Sequence, residues 1–392
     1  MAEWTSMFDD RWEVTPPLAD EAFGHIPAKR GVLLLADATD RPITMITAGD
    51  LRARLRTRLA DNDTDQPRRQ ADLRHITRTV LWTLTHSHFE TDWAYLELAR
   101  AVWPKRYATM LAWKRPWFVH VNCDEAFPHF VRSRDVQAAP GRYVGPFPSG
   151  RWAEQFIQGL QDAFDLCRDI KCLRTSPAGP PCSYGQMGRC LSPCDGTISM
   201  DAYRQVVRRA ADFAAGSRRE FRDNLQRRMS TASEDLAFEK AASLKTKLHR
   251  LEAFDRSEYM FAAPAEAFRY LLIQRGPNAR TAKTFFVNGA AILAGPELAY
   301  PLVDDALADV GRRMSAFVGP ASTSDEAGAW RIGLVGRYLF SSADRRGVIV
   351  PWRESLTAAE IAEAIETAVD ILKLRAPKRR KRASSSQAQP GK

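Results

Sequence analysis

The segment KCLRTSPAGPPCSYGQMGRCLSPC, residues 171–194, places four cysteines within 23 residues at the spacing C-x9-C-x7-C-x3-C. Prolines and glycines separate them, so the segment has few side chains with which to build a core. Fixing each backbone residue costs about 1–2 kcal/mol, and something other than apolar packing must offset that cost. A metal centre would close these loops, and thiolates prefer soft centres such as zinc or iron–sulfur.

The spacing favours one of these centres. It lacks the paired C-x2-C arms that are usual for structural zinc, whereas loosely spaced sets of four cysteines are compatible with a [4Fe–4S] cluster. The sequence therefore predicts a [4Fe–4S] cofactor, with zinc as the alternative, and four ligands: Cys172, Cys182, Cys190 and Cys194. Unrelated buried thiols are the simpler interpretation, but one loop of a cytosolic protein rarely collects four of them. Cys123 and Cys167 lie outside the segment and are interpreted as core residues.

Length and composition indicate a folded protein with several domains. The chain has 392 residues, of which 45% are hydrophobic and 27% charged, and its formal net charge is +10. No apolar run approaches the roughly 20 residues that a membrane span needs, and the acidic N-terminus lacks the pattern of a signal peptide. We therefore expect a cytoplasmic protein with no membrane association, which excludes a secreted disulfide scaffold.

The excess positive charge lies at the C-terminus. Eight basic residues and no acidic residue follow position 372, and residues 376–392 are predicted to be a disordered basic tail. Such a tail either keeps the protein soluble or contacts the phosphate backbone of DNA without sequence preference. The candidate DNA-binding residues are Lys378, Arg379, Arg380, Lys381 and Arg382.

Hydrophobic patterning before the cysteines predicts an irregular lead-in at 1–23 and a small α/β domain at 24–110. Two short strands, 31–35 and 42–46, precede a helix near Asp50 that carries leucines at i, i+4 and i+8. Residues 111–200 are predicted to hold linker strands and the cysteine region. The run WKRPW at 113–117 could stack bases and contact phosphates, although buried tryptophans flanked by solvated charges are the commoner case.

After the cysteines the pattern changes to amphipathic helices. Residues 201–256 are predicted to form an antiparallel helical hairpin, since two apolar stripes are separated by a short polar stretch. Residues 257–375 are predicted to form a separate C-terminal α/β domain. Its strands are expected at 268–274, 282–287 and 347–350, and its helices at 303–317, 327–339 and 358–374.

Two of these stretches resemble the UvrC subunit of the bacterial UvrABC excinuclease: YVGPFPS at 143–149 with the cysteine segment, and the hairpin. The resemblance covers roughly residues 24–290. It implies that the four cysteines hold an iron–sulfur cluster. It also implies that the hairpin is a UVR motif, with which that family pairs with UvrB. The implied partner-binding residues are Leu225, Met229, Phe238, Glu239, Ala242 and Leu248.

The resemblance further implies a GIY-YIG nuclease domain over residues 24–110. The family's catalytic arginine corresponds to Arg54, and its metal-binding glutamate falls on or near Glu97. The motif's two tyrosines are replaced by Leu33 and Thr44. Losing one general base costs typically 10²–10⁴-fold in rate. We therefore expect a degenerate nuclease fold, and Mg²⁺ as a cofactor only if the site is active.

These observations predict a UvrC-like protein of nucleotide excision repair that associates with DNA and a UvrB-like subunit and has an impaired nuclease site. One alternative is an active metal-dependent endonuclease that nicks damaged DNA, with Arg54, Glu97 and a substitute base such as Tyr107. The other alternative is a non-catalytic regulator that binds UvrB without touching DNA.

Overall fold

The computed structural model describes most of the chain. It covers residues 3–15, 18, 20–59, 72–136, 138–301, 304–317, 326–353 and 356–374. Within these residues, three antiparallel sheets of four strands each and a helical hairpin make up a mixed α/β architecture, which confirms the α/β prediction at the level of fold class. In the described residues no helix is long and apolar enough to cross a membrane.

The first sheet contains β1 (Asp10–Glu13), β2 (Gly31–Ala36), β3 (Pro42–Ala48) and β4 (Thr79–Leu84), in the order β1-β4-β2-β3. Helices α1 (Leu51–Leu59) and α2 (His88–Val102) lie on its two faces. Strand β2 is buried along its whole length because its alternating side chains enter two cores: Leu33 and Leu35 meet helix α1, and Val32 and Leu34 meet helix α2. Both predicted strands and the predicted helix are confirmed. A short helix, α3 (Tyr107–Met110), follows α2.

The second sheet contains β5 (Trp117–Val121), β6 (Val131–Ser133), β7 (Arg142–Phe147) and β8 (Ala263–Pro264), in the order β6-β5-β7-β8. It packs against helices α4 (Gly150–Phe164) and α7 (Met200–Ala215). Ser149 caps α4, since its Oγ accepts a hydrogen bond from Trp152 N–H, and Ser199 caps α7 in the same way. The segment that contains the four cysteines connects the two helices. This segment includes two short helices, α5 (Ile170–Leu173) and α6 (Ser183–Gln186).

The predicted hairpin is formed by α8 (Arg218–Glu234) and α9 (Phe238–Leu251). Its inner face joins the core beneath the second sheet through Leu225, Ala232, Leu244 and Leu251, each at most 6% exposed. At its base, the guanidinium of Arg222 donates to the Asp255 carboxylate and to the Leu251 carbonyl, which fixes the end of α9.

The third sheet contains β9 (Arg269–Arg275), β10 (Thr281–Asn288), β11 (Ala291–Ala299) and β12 (Val348–Pro351), in the order β11-β10-β9-β12. The predicted strand pair of 268–274 and 282–287 is confirmed as β9 and β10. All three predicted helices are present, although Val303 lies outside the described residues. The helices of this part of the chain are α10 (Asp304–Phe317), α11 (Glu326–Leu339), α12 (Ala343–Arg346) and α13 (Ala358–Ile371).

The first and third sheets share a core. The rings of Phe89 in α2, Phe285 in β10 and Tyr338 in α11 meet edge to face, with centroids 5.2 Å apart from Phe89 to each partner. The Lys283 ammonium also reaches the Glu90 carboxylate at 2.5 Å. The boundaries at residues 110 and 257 stay predictions: one core cluster joins the segments on either side of them, and the first and last segments each have a further core of their own.

Candidate functional site

The four cysteines lie on a segment, residues 171–194, that we call the cysteine loop. Cys172 belongs to α5, Cys182 directly precedes α6, Cys190 follows α6, and Cys194 lies in a 3-10 turn, Pro193–Asp195. Cys190 and Cys194 are buried, whereas Cys172 and Cys182 are half-buried. The loop therefore presents two thiols from the protein interior and two from near its surface.

Backbone hydrogen bonds bring the distant parts of the cysteine loop together. Gly179 N–H donates to the carbonyl of Cys194 at 2.8 Å, and Leu191 N–H donates to that of Asp165 at 2.9 Å. Any Cβ at Gly185 would collide with the hydroxyl of Ser192, so this position accepts no larger residue without a shift. A larger residue here would therefore make the Ser192 hydroxyl move from its place beside α6.

The thiols of the cysteine loop interact with one another. Cys182 contributes electrostatically to the environment of both Cys172 and Cys194 and interacts with Cys190. Burial raises the pKa of the Cys172 and Cys194 thiols. A hydrogen bond from Cys167 lowers the pKa of Cys190, and the same contact, with burial, raises the pKa of Cys167. Cys190 is therefore the member of this pair that ionises first.

Cys167 is a neighbour of the candidate ligands that sequence reasoning missed. It is buried in the core as predicted, but its thiol lies beside that of Cys190, and its N–H donates to the Tyr203 hydroxyl at 3.1 Å. Its only sequence signal was its position, five residues before Cys172. The structure thus brings five thiols to one region.

The chemistry of the donor set fits a soft metal centre. All six cysteines carry free thiols. In the part of the chain that the structure describes, no three His, Cys, Asp or Glu side chains converge closely enough to hold one metal ion. Four neighbouring thiols on a loop with little apolar packing are nevertheless the donors that zinc and iron–sulfur centres prefer.

The turn of the hairpin presents two large apolar side chains to solvent. Leu236 and Phe238 are 69% and 66% exposed. Leu236 has a left-handed backbone, with φ 58°, and Ala237 N–H donates to the Ala232 carbonyl at 2.8 Å, which ends α8 tightly. Because the turn is held by its own hydrogen bonds, the two side chains project on a defined scaffold. We call Leu236 and Phe238 the hairpin tip.

The structure separates the six predicted partner-binding residues into two groups. Phe238, Glu239 and Ala242 are exposed. The other three pack against the chain's own core: Leu225 is buried, and Met229 and Leu248 are half-buried. The surface open to a partner therefore contains the first group together with Leu236, which continues the spacing of Leu225, Met229 and Ala232 but was not among the predicted partner-binding residues.

Arg54 lines a cavity of about 330 Å³ between α1, β3 and α2. The other polar residues that line it are Thr47, Arg58, Asp92 and Tyr95, and Glu97 does not line this cavity. Burial raises the pKa of the Tyr95 phenol, which therefore stays protonated. Sequence reasoning missed Asp92 and Tyr95, whose i, i+3 spacing on α2 was the available signal.

Glu97 is occupied by an ion pair. Arg331 of α11 donates to both oxygens of its carboxylate, from Nε at 2.6 Å and from Nη2 at 2.9 Å, and Arg100 lies 3.3 Å away. Leu33 is fully buried, and Tyr107 is 5% exposed in the shared core. The structure therefore does not bring Arg54 and Glu97 into one site. The basic tail, Lys378 to Arg382, lies outside the described residues.

Two family models match the chain in the regions just described. The UvrC/Cho excinuclease middle domain matches residues 116–213, from the start of the second sheet to α7, and thus includes the cysteine loop. The UvrB/uvrC motif matches residues 219–254, which are the hairpin. No solved structure matches the chain significantly.

Curated relatives agree with these matches. UvrABC system protein C of Alkalilimnicola ehrlichii is 30% identical over 60% of this chain and 38% of its own length. The protein of that name from Ruminiclostridium cellulolyticum is 24% identical over 90% of this chain and 57% of its own length. The chain thus spans between about two fifths and three fifths of these relatives. It carries the UvrC/Cho excinuclease middle domain and the UVR motif, and over much of its length it is a distant homologue of UvrABC system protein C.

Proposed function

We propose that this protein acts in nucleotide excision repair by binding a UvrB-like subunit through its hairpin tip and by associating with DNA. The exposed pair Leu236 and Phe238, at the turn of a matched UVR motif, is the main support. Apolar side chains so exposed on a well-ordered scaffold are typical of interaction sites. The inner face of the hairpin is used by the chain itself, so the partner contacts the turn and the outer residues.

The chemistry of such a contact follows from its composition. Burying an aromatic and a leucine at the centre of an interface supplies the apolar anchor, and truncating such an anchor typically costs 2 kcal/mol or more. Glu239 and Lys240, both exposed at the start of α9, place charges of both signs beside the tip. A partner hairpin with apolar residues at its turn and mixed charges around them would be complementary to it.

The cofactor proposed for the cysteine loop is a [4Fe–4S] cluster held by Cys172, Cys182, Cys190 and Cys194, with zinc as the alternative. When bound, such a group would cross-link the loop through its four thiolates. The chain's own residues orient it: the glycines at 179 and 185 permit close backbone approach, and Ser192 N–H donates to the Cys190 sulfur at 3.4 Å.

Strand cleavage at the GIY-YIG position is not part of the proposed function. Both tyrosines of the motif are absent, and the Glu97 carboxylate is already bound by Arg331. We expect supercoiled plasmid with Mg²⁺ or Mn²⁺ to show no nicking above background, with wild type and Glu97→Ala indistinguishable. Metal-dependent nicking that disappears in Glu97→Ala would instead favour the active endonuclease.

The hairpin tip is tested by measuring affinity for purified UvrB. Replacing both Leu236 and Phe238 by alanine should weaken binding at least thirtyfold, on the order of 2 kcal/mol or more, because the variant loses the apolar anchor. Both side chains are mostly exposed, so the melting temperature should stay within a few degrees of wild type.

A matched control is available on the third sheet. Leu293 is an exposed leucine, 46% accessible, on β11 and far from the hairpin in the chain. Leu293→Ala should bind UvrB as wild type does. Equal affinity of the hairpin double variant and wild type, with the fold intact, would refute the proposed contact.

A further inference from the structure

A second cavity, of about 420 Å³, lies between β5, α11 and the start of α4. Four of its lining side chains are cationic: Lys114, Arg115, Arg134 and Arg337. Four are aromatic: Trp113, Trp117, Phe147 and Phe340. None of the described residues that line it is acidic. We call it the cationic cavity.

The positive charges of the cationic cavity are not neutralised by neighbouring acids. Within the described part of the chain, no carboxylate forms an ion pair with any of its four cations. Arg134 lies instead over the Trp117 ring at 4.3 Å, and Arg115 over the Trp330 ring at 5.4 Å. Arg132, two residues earlier in β6, provides a contrast: it also lies over the Trp117 ring, at 5.5 Å, but its guanidinium pairs with Glu154 at 3.0 Å.

Close backbone packing builds the cavity wall. A Cβ at Gly333 of α11 would lie 2.9 Å from the Lys114 carbonyl, and one at Gly336 would lie 3.2 Å from Pro116. These glycines let α11 approach the segment at 112–117. Trp113 Nε1–H then donates to the Trp330 carbonyl at 3.0 Å, and Arg337 donates to the Ala112 carbonyl at 3.1 Å. The four cations are thereby held around one space.

The amino end of α4 adds to the positive potential. Phe147, Pro148 and Ser149 line the cavity, and α4 begins directly after them and continues for 15 residues. The first turn of a helix carries a partial positive charge from its free N–H groups. Four unpaired cations and a helix N-terminus therefore surround one concave space, a combination that favours an anion.

We propose that the cationic cavity binds one unpaired nucleotide of a DNA strand. Arg115, Lys114 and the helix terminus would contact its phosphate, and its base would extend the stack of Trp117 and Arg134. A concave space suits an unpaired nucleotide better than the phosphates of a duplex, whose bases are already stacked. This inference rests on the proposed association with DNA and assigns it to a part of the fold distinct from the hairpin.

The test measures binding of the full chain to a fluorescent single-stranded oligonucleotide of about 12 nucleotides, a length within the range of common single-strand sites. Replacing Arg115 and Arg134 together by alanine should lower affinity about tenfold or more. The slope of log affinity against log salt should also fall by about 0.7, because one single-strand phosphate contact contributes about that much and the double variant loses the contact made by Arg115.

Arg132→Ala is the control, since it removes a neighbouring positive charge that also lies over Trp117 but is already held in an ion pair with Glu154. Its affinity should change less than about twofold. Equal losses in Arg132→Ala and Arg134→Ala would overturn the assignment, because they would show only a general effect of charge. An oligonucleotide affinity that the double variant leaves unchanged would overturn it as well.

A nucleotide in the cavity could come from a DNA strand or from a free mononucleotide, and competition with deoxyadenosine monophosphate distinguishes the two. At millimolar concentration it should compete weakly with the oligonucleotide. Saturable binding of the mononucleotide that depends on Arg115 and Arg134, with no such dependence for the oligonucleotide, would contradict a DNA site and indicate a free nucleotide. Affinity for UvrB should be the same in the double variant as in wild type. Failure of the cavity proposal can therefore be told apart from failure of the hairpin contact.

Discussion

Replacing Phe89 by alanine should destabilise the first and the third sheet together. Phe89 is fully buried on α2, and its ring contacts Phe285 of the third sheet and Tyr338 of α11. Truncating a buried phenylalanine typically costs about 3–5 kcal/mol. For a cooperative unit of this size we expect the melting temperature to fall by about 10 °C.

Hydrogen exchange gives the more specific readout of this variant. Because the core is shared, Phe89→Ala should speed exchange in β9 and β10 as well as in β2 and β4. Phe23 is the matched control: it is also fully buried but belongs to the core on the other face of the first sheet. Phe23→Ala should act mainly within the first sheet. Unchanged exchange over residues 269–288 in Phe89→Ala would mean that the two sheets are stabilised separately.

Replacing Cys194 by serine should have the other large effect. Cys194 is fully buried, and its carbonyl accepts the hydrogen bond from Gly179 that closes the cysteine loop. If the four thiols hold a metal centre, the loss of one ligand removes binding energy that structural metal sites return as folding stability. The variant should therefore lose its metal and melt at least about 10 °C lower.

Cys123→Ala provides the control for this comparison. Cys123 is buried in the core below the second sheet and lies outside the cysteine loop. Its truncation should cost about 1 kcal/mol through the lost packing and leave the metal content unchanged. Equal small losses in Cys194→Ser and Cys123→Ala would show that Cys194 is an ordinary core residue.

The sequence predicts local features of this protein well. Apolar spacing predicted the strands on either side of residue 40 and the helix of Leu51, Leu55 and Leu59, and two apolar stripes predicted the hairpin. These features depend on which face of an element is buried, and periodicity reports that directly. The same patterns do not say which surface covers that face.

Long-range packing is what the sequence could not show. The family resemblance made Glu97 a candidate metal ligand, but its partner Arg331 lies 234 residues away in the chain. The spacing of Leu225 and Leu248 predicted an apolar face without saying whether a partner or the chain itself covers it. Cys167 joins Cys190 only because the loop folds back on α4. In each case a tertiary contact decides the role of the residue.

Iron and acid-labile sulfide analysis of the wild-type protein, purified without oxygen, tests most directly whether the cysteine loop is built around a cluster. We predict about four iron atoms and about four sulfides per chain, with a broad visible absorption band that Cys194→Ser lacks. One zinc ion per chain would identify the alternative centre. A colourless protein without metal, whose cysteine loop is nevertheless protected from hydrogen exchange, would contradict a metal-bound loop.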